Sequence, residues 1–252
     1  MTRAIVIAAG MGSRLEHHTT ERPKCMVEVG GRSILAHQLH AFSENGIEDI
    51  HIIRGYLSER LVVDGATYHE NDDFRRNNIL FSLFCAESAL EGEVLTTYSD
   101  IVYTPEVVRS ALRSPYDIAL VIDRRWADAY EGREDHPVEQ AELAEVTDGK
   151  VLRVGKQVGP ERAAGEFIGL ARFSAKGCQA LRETFHAVRS RLGDDDPFQA
   201  AAMFRKSYLT DLFLEMIDRG IEIGWVPIDG DWREIDTVQD LERVNEIWGR
   251  GA

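Results

Sequence analysis

The sequence lacks the features of a membrane-spanning, disulfide-stabilised or nucleic-acid-binding protein. No run of 18 apolar residues occurs in its 252 positions, so no membrane span is expected. Its three cysteines, Cys25, Cys85 and Cys178, lie far apart without CxxC spacing, which favours reduced thiols in a cytoplasmic protein. Basic residues number 29 against 43 acidic ones, and the net charge of −14 argues against nucleic acid or an anionic membrane as a partner.

Other absences narrow the organisation and the chemistry. Repeats, low-complexity runs and Ser/Pro-rich linkers are missing, so we expect one domain over residues 1–252. The apolar run that follows Arg3 is too short for a secretory signal, which again favours the cytoplasm. The 8 histidines are scattered, and no Ser/His/Asp or Cys/His arrangement is evident. No catalytic triad is therefore expected.

What the sequence does contain is a dense stretch from Ala4 to Leu35. Residues 4–7 are apolar and mostly β-branched, the composition of a strand buried on both faces. The next residues, 8–14, are AAGMGSR, where small side chains let backbone amides approach a ligand closely. Arg14 ends this turn, and Lys24 follows a proline. Together, a buried strand, a small-residue turn and two cations indicate a cradle for a polyphosphate.

Two better-known phosphate-binding motifs do not fit this turn. A P-loop closes with Gly-Lys-Ser/Thr, whereas Gly12 is followed by Ser13 and Arg14. A dinucleotide fingerprint needs a small residue where Leu15 stands, and an acidic residue roughly 20 positions on beside a strand. Glu28 is nearby, but it precedes a glycine pair with no strand ending there. On the glycines alone, a tight turn that binds no ligand stays open.

Strand-like and helix-like segments alternate along the chain, which predicts an α/β fold with a mostly parallel sheet and helices on both faces. The predicted helices cover 34–45, 56–63, 79–90, 104–112, 176–191 and 197–220. The predicted strands cover 4–7, 47–53, 66–69, 93–97, 117–123, 143–146, 151–154, 165–173 and 221–227. Asp148-Gly149 lies between two of these strands and is the signal of a two-residue β-hairpin turn.

Acidic residues occupy positions that suit a metal ion. Asp100 follows the strand 93–97, at the carboxyl edge where open α/β sheets bind ligands, so it is a candidate Mg²⁺ ligand. A turn or helix-capping role is the alternative for this residue. Glu234 and Asp236 are two apart, so on an extended segment both point to one face. The run 194–196, three aspartates, fits a solvated loop and helix cap better than a metal site.

A polar segment enters the predicted helix 79–90. Asn78 and Ser82 are four residues apart and would share one helix face. An Asn-Asn pair at positions 77–78 is also a common way to cap a helix. Both a ligand-binding role and a capping role are therefore compatible with these residues.

The motifs at both ends of the chain resemble the nucleotidyltransferases that make sugar nucleotides and CDP-linked compounds. The family's N-terminal motif is AAGxGxRL followed by PKxM, and its fixed positions are present here as Gly10, Gly12, Arg14, Leu15, Pro23, Lys24 and Met26. Residues 232–241, WREIDTVQDL, match the family's W-x-(E/D)-I-(D/N)-T-x-x-D-L string. The Asn-Asn-x-x-x-Ser segment is similar to that of cytidylyltransferases acting on phosphocholine and on phosphonates.

This resemblance implies a Rossmann-like, GT-A-like fold with a mostly parallel mixed sheet and a small β-hairpin insert. Lys24 and Arg14 would be catalytic. The nucleotide would contact Ala8, Ala9, Gly10, Met11, Gly12, Ser13, Arg14, Asn78 and Ser82. Mg²⁺ would be held by Asp100, Glu234 and Asp236. The insert, residues 124–173, would cover the acceptor, with acceptor ligands Arg133, Lys156 and Glu166.

The resemblance further implies a Mg²⁺-dependent cytidylyltransferase that transfers CMP from CTP to a phosphonate, of the 2-aminoethyl or hydroxyalkyl type, and releases pyrophosphate. Phosphocholine is a rival acceptor, because four aromatic residues could supply a cage for its ammonium, Trp126, Tyr130, Trp225 and Trp232. Sugar-1-phosphate nucleotidyl transfer and a non-catalytic nucleotide sensor are further alternatives. Arg133 could simply pair with Glu131 or Asp135. A homodimer is one assembly that is compatible with the sequence.

Overall fold

Thirteen strands and seven α-helices make up residues 2–248, the part of the chain that the computed structural model describes. The strands are β1 (Thr2–Ala8), β2 (Glu28–Val29), β3 (Arg32–Ser33), β4 (Asp49–Arg54), β5 (Thr67–Glu70), β6 (Glu93–Tyr98), β7 (Ile101–Tyr103), β8 (Ile118–Asp123), β9 (Leu143–Thr147), β10 (Lys150–Gly155), β11 (Gly165–Phe173), β12 (Gly224–Ile228) and β13 (Trp232–Glu234). The helices are α1 (Ile34–Ser43), α2 (Ile79–Phe84), α3 (Pro105–Leu112), α4 (Trp126–Tyr130), α5 (Ala175–Arg189), α6 (Leu209–Asp218) and α7 (Val238–Trp248).

Nine of the strands form one mixed sheet in the order β5-β4-β1-β6-β11-β8-β12-β10-β9. The pairs β4–β5, β1–β4, β1–β6 and β8–β12 are parallel, and β11 runs antiparallel to both of its neighbours, β6 and β8. β9 also pairs with β11, so the hairpin β9–β10 curls back onto the middle of the sheet. The predicted α/β class with a mixed, largely parallel sheet is confirmed.

The alternation of side chains along β1 explains why both faces of the sheet are covered. Ile5 and Ile7 are buried in a core that also holds residues of α2, α5 and α6. Ala4 and Val6, pointing the other way, are buried against residues of α1 and α3. Each face of an apolar parallel strand thus has its own helical layer, as a sheet made by strand–helix crossovers requires. Within residues 2–248, every helix is too short or too polar to span a bilayer.

Several predicted helices are shorter than the sequence pattern indicated. The segment 56–63 contains only a 3₁₀ turn, Ser58–Arg60, entered through Leu57 at a left-handed φ of 48°. The helix predicted over 79–90 ends at Phe84 and is followed by a second 3₁₀ turn. Of the segment 197–220, only α6 is α-helical, and Gln199 has a left-handed φ of 51° that no α-helix accepts.

The predicted insert 124–173 divides into parts with different roles. Its hairpin turn is confirmed, because Asp148 and Gly149 have φ values of 51° and 77°, both positive as a type I′ turn needs. Its last strand, β11, is not an appendage, since it lies between β6 and β8 in the middle of the sheet. The run 194–196 lies in an exposed turn, where the backbone N–H of Gly193 donates to Asp196 Oδ2 at 2.7 Å.

Candidate active site

A cleft of about 540 Å³ opens at the carboxyl ends of β1 and β6. This edge is where open α/β sheets place their ligands. The segments that line the cleft are far apart in the chain and include the turn after β1, the segment 77–82, the end of β6, the loop 136–142 and the carboxylates after β13. Topology therefore gathers most of the predicted site residues around one space.

The turn after β1 is shaped to fit against Lys24. Gly12 has a left-handed φ of 61°, and a Cβ added there would lie only 2.8 Å from Lys24 Cβ. Its carbonyl accepts hydrogen bonds from the backbone N–H of Leu15 at 2.9 Å and from Thr19 Oγ1 at 3.1 Å. Only glycine satisfies both the backbone conformation and the close approach. The glycine of the motif therefore positions the lysine of the motif.

Replacing Gly12 with alanine should lower the free energy of unfolding by about 1–2 kcal/mol, the cost of an L-residue in the left-handed conformation, before any clash with Lys24 is counted. Urea denaturation of both proteins measures this difference. Gly10→Ala in the same turn is the matched control, because no atom of the described residues beyond its two chain neighbours lies within 4 Å of the added Cβ. Equal losses in the two variants would contradict the close packing of Gly12 on Lys24.

Lys24 is buried and holds two of the predicted metal carboxylates together. Its Nζ lies 2.8 Å from Asp100 Oδ2 and 2.6 Å from Asp236 Oδ1. Burial alone would lower the pKa of Lys24, but the charges and hydrogen bonds of Asp100 and Asp236 outweigh it and raise that pKa above its ordinary value. The ammonium therefore stays protonated throughout the neutral range.

Asp236 is the centre of a wider charge cluster. Besides Lys24, it pairs with Arg14, whose side chain is half-exposed in the cleft, and His136 Nδ1 lies 3.1 Å from its Oδ2. Burial alone would raise the pKa of Asp236, but Lys24, His136 and Arg14 lower it. Burial and the neighbouring charge of Asp236 raise the pKa of Glu234, the other carboxylate of the pair. The two carboxylates thus differ in how readily they lose a proton.

Backbone pairing brings these distant carboxylates together. β13 runs antiparallel to β7, with Glu234 opposite Ile101. One residue further on, the backbone N–H of Ile235 donates to the carbonyl of Asp100 at 2.8 Å. Asp100 and the pair Glu234–Asp236 therefore meet at one end of a two-stranded ribbon, although more than a hundred residues separate them in the chain.

Arg133 is the predicted acceptor ligand that the structure places elsewhere. Its guanidinium is buried and donates to Asp240 Oδ1 at 2.6 Å, to Asp240 Oδ2 at 2.9 Å and to Glu234 Oε2 at 2.8 Å. It does not line the cleft, and its partners are not the nearby Glu131 or Asp135 considered from the sequence. Asp240 in turn accepts from the backbone N–H of Thr237 at 2.9 Å. Arg133 is thus a buried link between the carboxylate string and the start of α7.

Glu166 also lies away from the cleft, although it was predicted as an acceptor ligand. It lines a smaller neighbouring cavity of about 110 Å³ together with Arg133 and Asp240. The hydroxyl of Tyr130 donates to Glu166 Oε1 at 2.7 Å. Burial, with the charge of Glu234, raises the pKa of Glu166 to about 8. A protein wall that includes Glu234 separates this carboxyl from the cleft.

Lys156, the third predicted acceptor ligand, does line the cleft. Its Nζ donates to Gln140 Oε1 at 2.9 Å and to the hydroxyl of Tyr208 at 3.2 Å. Glu142 lies beside it, buried, and accepts from Tyr98 OH at 3.1 Å and from a threonine hydroxyl of α6. Burial raises the pKa of Glu142 to about 7. Sequence reasoning missed Glu142 and Tyr208, because neither lies in a recognisable motif.

Asn78 and Ser82 both line the cleft, one helical turn apart as predicted. Asn78 stands at the start of α2, but its side chain makes no capping bond and donates instead to the carbonyl of Lys206 at 3.0 Å. Ser82 Oγ donates to the carbonyl of Asn78 at 3.2 Å and accepts from Asn71 Nδ2 at 2.8 Å. The start of α2 thus places an amide and a hydroxyl in the cleft wall, each held by a hydrogen bond to a backbone carbonyl.

Most of the residues in the turn after β1 line the cleft, but two of them do not. Five of the predicted nucleotide ligands in this turn line the cleft, namely Ala9, Gly10, Gly12, Ser13 and Arg14. Ala8 does not, because alternation along β1 buries its methyl group in the core under α1 and α3. Met11 is exposed and is not part of the cleft wall either. For these two residues only backbone atoms remain as candidate ligand contacts.

Known proteins match this chain over most of its length. The family model for the MobA-like NTP transferase domain matches residues 4–157. CTP:phosphoglutamine cytidylyltransferase from Campylobacter jejuni is 29% identical over 251 residues, which cover 95% of this chain and 97% of that relative. 2-Aminoethylphosphonate cytidylyltransferase from Lancefieldella rimae is 26% identical over 204 residues, which cover 78% of this chain and 77% of that relative.

Solved structures agree with the architecture described above. The inositol-1-phosphate CTP transferase from T. maritima matches with a TM-score of 0.77 at 20% identity, over 99% of this chain and 96% of that one. This similarity confirms the predicted Rossmann-like fold. The matched family segment, residues 4–157, spans more than half of the chain and includes the glycine turn, Lys24 and Asp100. The predicted nucleotidyltransferase family is therefore confirmed, and the chain belongs to the family of MobA-like NTP transferase domains.

Proposed function

We propose that this protein is a cytidylyltransferase, which transfers CMP from CTP to a small phosphonate or phosphate monoester and releases pyrophosphate. The observation that carries the proposal is the cleft itself, which Arg14, Lys24 and Lys156 all line. Two anionic substrates that meet in one reaction need several cations around their shared site. The relatives from C. jejuni and L. rimae, named as cytidylyltransferases of phosphoglutamine and 2-aminoethylphosphonate, support the nucleotide and the acceptor class.

The triphosphate end is built from the turn and the two cations. The turn Ala9–Ser13 and Arg14 would hold the β- and γ-phosphates, because four residues of this turn and Arg14 line the cleft and can offer backbone N–H groups and a guanidinium. Lys24 would neutralise the α-phosphate as negative charge develops there in the transition state. Its raised pKa suits this role, since the charge is present before the substrate arrives. Asn78 and Ser82 would contact the cytosine base from α2.

A nucleoside triphosphate also needs a divalent metal ion to neutralise its charge, and the carboxylates beside Lys24 are suitable ligands for such an ion. Asp100 Oδ1 is buried and has no hydrogen-bond partner within residues 2–248, although its other oxygen is bound by Lys24. Asp100, Glu234 and Asp236 would hold Mg²⁺ through oxygen ligands, which this ion prefers. When bound, Mg²⁺ would neutralise and orient the nucleotide phosphates.

The acceptor end needs no general base. A phosphonate or phosphate oxygen is already anionic near neutral pH, so the protein must bring it close to the α-phosphorus and screen its charge. Lys156 is placed to bind that anion, and its third N–H remains for a ligand beyond Gln140 and Tyr208. Glu142 and Tyr98 line the same end and would contact the organic part of the acceptor.

A matrix of four nucleoside triphosphates against five acceptors tests this function. The acceptors are 2-aminoethylphosphonate, a hydroxyalkylphosphonate, phosphoglutamine, phosphocholine and glucose 1-phosphate, and pyrophosphate release is measured with Mg²⁺ present. We expect CTP to exceed UTP, GTP and dTTP by at least about tenfold in kcat/KM, a difference of about 1.4 kcal/mol in transition-state binding. The preferred acceptor should be a phosphonate or a phosphorylated amino compound.

Two outcomes would contradict the proposal. Preference for UTP or dTTP with glucose 1-phosphate would favour the sugar-nucleotide alternative. Nucleotide binding without product, even in a single turnover, would favour a sensor. A Lys24→Met variant is the blank for background hydrolysis, because it removes the ammonium of Lys24 while keeping the volume of the side chain.

A further inference from the structure

His136 is a buried imidazole that faces the carboxylate cluster, and no sequence motif pointed to it. Its side chain is only 4% exposed. Its Nδ1 lies 3.1 Å from Asp236 Oδ2 and 3.7 Å from Glu234 Oε2. Within the described chain this nitrogen has no hydrogen-bond partner of proper geometry. A buried nitrogen aimed at two carboxylates and left without a hydrogen bond requires an explanation.

The loop that carries His136 is held in place from two sides. The backbone N–H groups of Glu134 and Asp135 donate to Gln239 Oε1 at 2.8 and 3.2 Å, which ties the loop to α7. The ring of Tyr130 meets the imidazole edge-on, with 6.2 Å between the ring centroids. Contacts other than the one with Asp236 therefore also hold the loop and one side of the imidazole.

We propose that His136, together with Glu234 and Asp236, binds a divalent cation through its Nδ1, and that this nitrogen ligand makes the site prefer Mn²⁺ to Mg²⁺. One ligand atom from each of the three residues lies within 4.8 Å of the other two. Ligands at right angles around an ion, each about 2.1 Å from it, are about 3.0 Å apart. The measured 3.1 and 3.7 Å are close to that separation.

The metal preference follows from the chemistry of the donors. Carboxylate and water suit Mg²⁺ and Mn²⁺ alike, whereas an imidazole nitrogen favours the transition metal over Mg²⁺. A site of three oxygens, such as Asp100, Glu234 and Asp236 alone, offers no such discrimination. The role of this ion in turnover rests on the proposed function, but its binding to His136 does not.

Of the three cations on these two carboxylates, buried Arg133 stays on Glu234 Oε2 and takes one lone pair of that oxygen, whereas the other two can give way to the ion. Arg14 and Lys24 reach Asp236 from the cleft side, where the triphosphate would lie. Phosphate oxygens would draw both cations toward the nucleotide and leave carboxylate oxygens free for the metal. Ion and nucleotide should therefore bind together more tightly than either does alone.

Pulsed electron paramagnetic resonance of bound Mn²⁺ tests the ligand directly. The wild-type protein is loaded with Mn²⁺ and α,β-methylene-CTP, a non-reacting analogue. We expect modulation from a coordinated ¹⁴N nucleus, its loss in His136→Gln, and its retention in the control His186→Gln, whose ring lies on the far helix α5 and pairs with Glu87. Absence of the nitrogen signal from the wild-type protein would overturn the proposal without reference to any variant.

Calorimetric titration provides the second measurement. With the same analogue present, His136→Gln should weaken Mn²⁺ binding by at least about tenfold, the smallest loss typical of disturbing a metal ligand's surroundings, and should change Mg²⁺ binding much less. Equal weakening for both ions would overturn the stated preference. A nitrogen signal in a protein without CTP turnover would refute only the proposed function, whereas CTP turnover without the signal would refute only the role of His136.

Discussion

Replacing Lys24 with alanine should lower kcat by about 10²-fold or more, the usual effect of removing one electrostatic donor from a transition state. The reason is geometric as well as chemical. The ammonium is buried, faces the cleft, and lies within 2.8 Å of two carboxylates that would otherwise repel the substrate phosphates. Pyrophosphate release under saturating CTP and acceptor measures the loss.

Two further variants separate catalysis from folding. Lys24→Met keeps the volume of the side chain, and it should lose turnover to the same degree as the alanine variant. Lys150→Met removes an exposed ammonium that pairs with Glu222 far from the cleft, and it should retain wild-type turnover. Near-normal kcat in Lys24→Met, with an unchanged melting temperature, would refute the catalytic role of the ammonium.

Replacing Arg133 with methionine should lower the free energy of unfolding by about 3–5 kcal/mol, the cost of leaving buried charges without their partner. Asp240 and Glu234 both lose a guanidinium that binds them at 2.6 to 2.9 Å. Asp240 would keep only the backbone N–H groups at the start of α7 as donors. Urea denaturation, followed by circular dichroism, measures the change.

The matched control uses an arginine whose ion pair is open to solvent. The side chain of Arg162 is half-exposed and pairs with Glu145. Arg162→Met should leave the urea midpoint nearly unchanged, because water screens such pairs. If Arg133→Met were as stable as Arg162→Met, the buried link between Glu234 and Asp240 would contribute nothing to folding. An Arg133→Lys variant should keep only part of the stability that Arg133→Met loses, because a lysine ammonium cannot reproduce the planar fork that binds Asp240 and Glu234 together.

The parts of the site that sequence could predict are those that depend on local pattern. The glycine turn follows a buried apolar strand, and its conformation is a property of Gly12 and its neighbours. Asp100 comes directly after a strand whose carboxyl end must lie at the ligand edge. Glu234 and Asp236 occupy alternate positions of an extended segment. The meeting of Asp100 and Asp236 at Lys24 is what the family resemblance implies, and the antiparallel pairing of β13 with β7 produces it.

The parts that sequence could not predict depend on contacts between distant, irregular segments. Arg133 and His136 lie in a charged loop with no periodicity, and their partners are about a hundred residues further along the chain. Nothing in such a loop distinguishes a buried ion pair from a solvated one, so the sequence predicts for Arg133 either an acceptor ligand or a pair with Glu131 or Asp135, and not its buried pair with Asp240. Glu142 becomes a cleft residue only because the hairpin curls back onto β11.

The predicted lengths of several helices were wrong for a related reason. The segment 197–220 has apolar residues at helical spacing, yet its first half is irregular. There the backbone N–H of Phe204 donates to the carbonyl of Asp196 at 2.7 Å, and Phe204 is fully buried. The same spacing of apolar residues is compatible with a helix and with a packed loop. Tertiary packing decides which of the two forms.

The ribbon of β7 and β13 has a consequence for synthesis on the ribosome. Asp100 is translated more than a hundred residues before Glu234, Asp236 and the strand β13 that aligns them. Most of the nucleotide turn can fold beforehand, because β1, β4 and β6 pair with one another. Until residue 236 is made, Lys24 therefore has only one of its two carboxylates. A nascent chain that already has its glycine turn thus remains without a complete active site until β13 and Asp236 follow.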